Sequence, residues 1–216
     1  FYTGRRLIEA VEPGTNRFAD DIRLYTQLTV SNVADNLIQM GGEIYNGSGP
    51  QSLVKEGDGA LGISDFTINN LYLKQGTVQL TGLGYWSTAY SKLMFNGEAS
   101  AVFNLNGYDV RMGCVTGMHG TVKLNGGTLT IDTDMFNYET FHGTIEDDEA
   151  AGNVVISGDQ LFQLLGTNTY SGGTIIGGRA ASLYITNECN IGAVPGSTDP
   201  DNLVITNGGM LVATNL

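Results

Sequence analysis

The sequence predicts an all-β chain wound as a parallel β-solenoid, and three observations carry that expectation. Apolar runs of three to five residues recur between short breaks rich in Gly, Asn, Asp and Ser, and many of the runs alternate with period two. The chain holds 31 Gly, 18 Asn and 22 Thr among its 216 residues but only 4 Pro. Gly, Asn and Thr are all poor in helix interiors, and collagen would need abundant Pro and a strict three-residue Gly period. Finally, a shift of 101 residues superposes Gly42 on Gly143, Ile44 on Ile145, Gly57 on Gly158, Asp58 on Asp159, Asn106 on Asn207 and Gly107 on Gly208. These are punctuation residues, which repeats retain because a corner with positive φ admits little besides Gly or Asn.

Along the chain, residues 1–27 read as an N-terminal cap or junction. They hold four of the six arginines, and Leu7, Ile8, Ala10 and Val11 suit one side of a short helix or an irregular strand. Residues 28–216 read as the β-helix, with an internal repeat of about 100 residues. Its strands are expected at Leu28-Thr29-Val30, Leu71-Tyr72-Leu73, Thr121 to Leu124, Thr128 to Ile131, Asn153 to Ile156, Ser182 to Ile185 and Leu203-Val204-Ile205. Asn125-Gly126-Gly127 would equally suit a hairpin in an antiparallel sandwich. Short strands between closely spaced corners favour coils of roughly 20 to 25 residues instead. Eight to ten such coils, about 4.8 Å apart, make a rod about 40–50 Å long.

With 10 Lys and Arg against 22 Asp and Glu, the net charge of -12 repels phosphate backbones and anionic lipid, so nucleic acid and membrane surfaces are disfavoured as partners. A mean hydropathy of -0.03 leaves enough apolar surface for a core. No run of 18 apolar residues occurs, and the chain starts at Phe1 instead of Met, which fits a piece of something longer. Cys114 and Cys189 form no C-x-x-C pair, so a disulfide and two separate thiols are both open.

Asn168-Thr169-Tyr170-Ser171-Gly172-Gly173-Thr174-Ile175-Ile176 resembles the signature of the autotransporter-associated β-strand repeat of bacterial passenger domains. Leu53 to Leu61, with Lys55, Gly57 and Gly59, is similar to the element that usually precedes it. Ile191 to Pro195 and Leu203 to Leu211 resemble its continuation. The first copy departs from the pattern: no Asn-Thr-Tyr-x-Gly-Gly-Thr segment follows Gly62-Ile63, and residues 84–100 carry an aromatic stretch that the family does not predict. The resemblance implies a right-handed parallel β-helix on a bacterial cell surface, anchored to the outer membrane through a part not present here. Within that family the repeat builds stalks and promotes secretion, and it is not an active site. Asparagine ladders between coils are a further implication.

β-Helices also cleave polysaccharides, so chemistry has to be weighed. Glu146-Asp147-Asp148-Glu149, four residues after His142, is the one dense acidic run, and adjacent charges of this kind read as a solvated loop. The Gly-His-Gly and Arg-x-Lys elements of polygalacturonase-like hydrolases, G-x-S-x-G and Gly-Asp-Ser-Gly are all missing. His119 and His142 sit on expected corners without further zinc ligands. Asp132-Thr133-Asp134 and Asp199-Pro200-Asp201-Asn202 space carboxylates for a structural calcium, though turn capping explains them as well. Tyr85, Trp86 and Tyr90 are the candidate ligand contacts, suited to stacking on sugar rings or anchoring a protein. The expectation is therefore a stalk or adhesin segment without catalytic residues, cofactor or metal. Its partners would be host or community surface glycans or proteins, or further copies of itself. A glycan-binding or polysaccharide-degrading β-helix is the alternative.

Overall fold

The computed structural model describes residues 6–82, 87–133 and 138–214, with the backbone alone at 87–90. Every strand pairing among them is parallel, and each strand lies against the strand one coil earlier and one coil later. The architecture is a parallel β-solenoid, in agreement with the sequence.

Each coil visits three faces. Cys114 to Gly117 lie on the first, Thr121–Lys123 on the second and Thr128–Asp132 on the third. The next coil repeats this with Glu139–Phe141, Thr144–Glu146 and Asn153–Ser157. On the first face Leu28 lies against Leu53, Leu53 against Leu71, Leu71 against Leu93 and Leu93 against Val115. On the second, Ile38, Leu61, Val78, Phe103, Val122 and Ile145 form an unbroken column. On the third, Ile131, Ile156 and Ile176 stack towards Ile205. Apart from Ile205 at the last coil, all of these residues are buried, and they make one continuous core. Alternation is why: Thr77–Leu80 and Leu161–Leu164 send every second side chain inwards.

Coil length varies more widely than the expected 20 to 25 residues. Leu53 to Leu71 is a step of 18, whereas Leu183 to Leu211 is a step of 28. Corners absorb the difference, because only the strands must superpose. Several strands are longer than the sequence pattern suggested, since they bend round a corner without losing their pairing. Asn36–Asn46 turns at Gly41-Gly42, where its register shifts against the next coil. A Cβ on Gly42 would stand 2.4 Å from the Asp20 carbonyl carbon, so the bend is possible only without a side chain.

Arg6–Ala10, Gly14–Phe18 and Ile22–Leu24 pair in register with the coil that follows, so Leu7 to Ala10 form a strand and not a helix. The two Asn-Gly pairs superposed by the 101-residue shift have similar φ, 52° and 82° at Asn106-Gly107 and 49° and 80° at Asn207-Gly208, yet they turn different corners, from the second face to the third and from the third to the first.

Phe103 is fully buried at the middle of the second-face column. Phe103→Ala should lower stability by about 3–5 kcal/mol, read from the urea midpoint followed by circular dichroism.

Candidate functional site

Tyr85 and Trp86 lie outside the described residues, and Tyr90 falls in strand Ser87–Phe95 where only the backbone is described. What can be built from the residues upward is the set of polar corners.

The signature stretch 168–176 turns from the second face to the third, and nearly every residue in it has a structural task. Asn168 is buried; its Oδ1 accepts from the Ile145 N–H at 2.7 Å while its Nδ2 donates to the carbonyls of Gly166 and, one coil on, Asn190. Asn190, also buried, donates to Gly166 O at 2.8 Å and accepts from the N–H groups of Thr186 and Asn187. The asparagine ladder implied by the resemblance is thus present here. Tyr170 is fully buried, its hydroxyl 2.6 Å from Thr174 Oγ1, which donates onward to Ile191 O. Burial pushes the Tyr170 phenol above its ordinary range. A Cβ on Gly172 would stand 2.2 Å from Gly152 O, and one on Gly173 2.3 Å from Asp201 O.

The acidic run 146–149 is solvated at Asp148 and Glu149, as its charge pattern suggested, but Glu146 and Asp147 are half-buried and Asp147 is built into the corner. Asp147 accepts from the Gly152 N–H through one oxygen and from the Ser171 N–H and hydroxyl through the other, tying two coils together. Lys123 Nζ lies 2.7 Å from Asp148 and 3.5 Å from Glu146, and the Asp148 hydrogen bond is the main cause of its raised pKa. Asp132 ends strand Thr128–Asp132, buried and paired with Arg111, so it does not stand on an open corner; Asp134 lies outside the described residues. Asp199 Oδ1 accepts from the Asp201 N–H, a capped turn. His119 and His142 are exposed on corners. Among the described residues no three His, Cys, Asp or Glu side chains converge as metal ligands, and no helix is long and apolar enough to cross a membrane.

Both cysteines are free thiols. Cys114 lies at the strand position next to Lys92, whose ammonium reaches on to Glu139 at 2.8 Å; burial pushes this thiol up to about 12. At the first coil the Arg23 guanidinium lies 5.1 Å from the Tyr25 ring centre and 5.8 Å from that of Tyr45. Arg23 and Tyr25 line a cavity of about 430 Å³ together with Ile8, Ile22, Leu24 and Leu28.

Sequence reasoning missed the function of Lys55. It occupies an inward position in strand Ser52–Glu56 and is fully buried. Its ammonium donates to Glu56 O at 2.7 Å, Gly57 O at 2.6 Å and, from the next coil, Gln75 O at 3.3 Å. The corner wraps this cage because Gly57 and Gly76 both have positive φ, and a Cβ on Gly76 would stand 2.8 Å from the ammonium. Burial draws the Lys55 pKa down to about 8 against the pull of Asp58 and Glu56. A Lys two residues after Leu53 in an alternating strand, followed by Gly-Asp-Gly, was the available signal.

Comparison with known proteins places these corners in context. The chain is 29% identical, over 221 aligned residues, to the adhesin BmaC autotransporter of Brucella suis biovar 1 (strain 1330). The match covers 84% of this chain and 6% of that protein, so the chain spans a small part of its relative's length. No protein-family description matches the chain, and no solved structure does. In sequence and in fold the chain resembles an autotransporter passenger domain.

Lys55 gives a pH signature. Its folded-state pKa lies below the unfolded value of 10.5, so its contribution to stability is complete above that value and is lost as pH falls through about 8. Cys114, raised from 9.0, acts oppositely at higher pH, so Lys55 dominates between about pH 8 and 9. Lys55→Met should cost about 2 kcal/mol at neutral pH, by stripping three carbonyls of their donor. The gap in urea midpoint between wild type and variant should widen as pH rises from 8 to 10, with Cys114 cancelling in the difference.

Proposed function

We propose that this chain is a non-enzymatic segment of a bacterial surface passenger, serving as a stiff adhesin stalk that holds other parts of its protein away from the cell. The observation that carries this reading is the continuous parallel stack whose corner side chains hydrogen-bond to neighbouring coils, from Lys55 to Asp147 and Asn168. Stability in such a rod accumulates coil by coil through nearest-neighbour pairing. Similarity to an autotransporter adhesin supports a location at the cell surface and a part in contact with surface targets. The acidity suits this role as a solubility feature.

The reading gives the carboxylates no chemistry and calls for no cofactor. An inverting or retaining glycosidase needs two carboxyl groups free to face a sugar, whereas Asp147 accepts from three donors and Asp148 is paired with Lys123. The alternative, a glycan-binding β-helix, rests on Tyr85, Trp86 and Tyr90, a concentration of rings that the repeat pattern does not require.

Two measurements separate these readings. On a glycan array, a stalk shows no binding that depends on Trp86, whereas loss of a signal in Trp86→Ala identifies a lectin-like site. In a polysaccharide turnover assay the stalk gives no product. Activity abolished by replacing Asp147 and Asp148 together, in a variant that keeps its circular dichroism spectrum, would overturn the non-enzymatic reading.

A further inference from the structure

The chain contains five Asn-Gly pairs, at Asn46, Asn96, Asn106, Asn125 and Asn207. In such a pair the Gly backbone nitrogen, after losing its proton to solvent base, can attack the Asn Cγ. The new C–N bond closes a succinimide as the side-chain amide leaves as ammonia, and water then opens the ring at either carbonyl to aspartate or isoaspartate. Glycine favours the attack because no side chain stands in the way of its nitrogen. All five pairs are equal in these local terms, yet the fold treats them differently.

Asn46 is held at both ends: Nδ2 donates to Thr67 O and to Asn69 Oδ1 at 2.8 Å, and Oδ1 accepts from the Gln51 N–H at 3.0 Å. Its would-be nucleophile, the Gly47 N–H, is itself bonded to Leu24 O. Asn106 Nδ2 donates to Leu80 O at 3.1 Å, and the Gly107 N–H to Leu124 O. Asn125 donates to Asn104 Oδ1 one coil before and accepts from the Asp148 N–H one coil after. In each case cyclisation must first break bonds that join coils.

Asn96 stands apart. It is exposed on the break between strands Ser87–Phe95 and Val102–Asn104, and only its backbone N–H is engaged, to Leu73 O. Among the described residues neither its carboxamide nor the Gly97 N–H has a hydrogen-bond partner. Asn207 and Gly208 share that condition on the last corner.

We propose that hydrogen bonding between coils shields the corner asparagines from deamidation, and that Asn96 is the mid-rod position where this shield is missing and aspartate and isoaspartate form. The location has structural consequences. A Cβ on Gly97 would stand 2.1 Å from Lys74 O, and the Glu98 N–H already bonds that carbonyl at 2.6 Å. The extra backbone methylene of isoaspartate therefore enters the corner at its tightest point, beside the strand of the preceding coil. For a rod exposed outside the cell, the ladder would serve chemical endurance as well as stability.

The test compares folded and guanidinium-denatured protein incubated at mildly alkaline pH, with aspartate and isoaspartate quantified at each site by peptide mass spectrometry. In the denatured chain all five sites should react at similar rates. In the folded chain Asn96 should stay within a few-fold of its denatured rate. Asn46, Asn106 and Asn125 should slow by at least about tenfold, the factor that about 1.4 kcal/mol of hydrogen bonding supplies. Asn104→Ala, which removes the acceptor of Asn125, should speed reaction at Asn125 while Asn46 stays slow, showing that the coils remain folded. Equal rates at all five sites in the folded protein, an Asn96 as slow as Asn125, or an Asn125 indifferent to Asn104→Ala with Asn46 still slow would each overturn the proposal.

Discussion

The structure depends on one constraint: each coil's backbone hydrogen bonds must be completed by the coil beside it. Parallel pairing with a two-residue side-chain period forces the three faces of successive coils to superpose, because a one-residue slip would turn a whole inward row to solvent. Leu28, Leu53, Leu71 and Leu93 occupy one register position for this reason. So do Ile38, Leu61, Val78 and Phe103 on the second face. The strands carry this requirement, and the corners are left to meet whatever geometry remains.

At the corners the backbone cannot pair regularly, so its polar groups need other partners close to the core. Buried polar side chains supply them across the coil spacing. Asn32 reaches Ala60 O and Asn36 reaches Glu12 O near the start of the rod, while Asn168 and Asn190 do the same near its end. Lys55 is the charged version of this solution, one ammonium serving carbonyls of two coils. Glycine answers the steric half of the problem. Gly117 lies in register between Phe95 and Phe141, and its missing side chain leaves those rings to meet at 5.5 Å. A Cβ there would stand 2.8 Å from the Phe95 Cβ.

This division of labour explains why charge alone reads only the exposed half of the acidic run, Asp148 and Glu149. Glu146 to Glu149 has the composition of a solvated loop, yet Asp147 bridges two coils and Asp148 holds Lys123. Their partners, Ser171 and Lys123, stand 24 and 25 residues away, about one coil. That distance is invisible to any local pattern. The same holds for Asp132, a buried carboxylate paired with the exposed Arg111, 21 residues earlier in the chain. A β-solenoid converts sequence-distant polar residues into neighbours at a fixed spacing, so Asp132, Asp147 and Asp148 each meet a partner from an adjacent coil.

By itself the sequence determined the class of fold and the positions of many of its strands and corners. Period-two alternation and the φ demands of Gly and Asn are local properties that each segment carries without its neighbours, which is why Thr121 to Leu124, Asn153 to Ile156 and the Asn-Gly corners were legible. The signature at 168–176 was legible as a resemblance, though not what its residues do. Only the tertiary structure decided the register of one coil on the next, the strands that bend round corners at Gly41-Gly42, the strand over Leu7 to Ala10, the separation of the two thiols, and the partners of Lys55, Asp147 and Asn168. Those features depend on coil length, which ranges from 17 residues between Leu61 and Val78 to 29 between Ile176 and Ile205 and is set by how corners pack, so no fixed period in the chain could announce them.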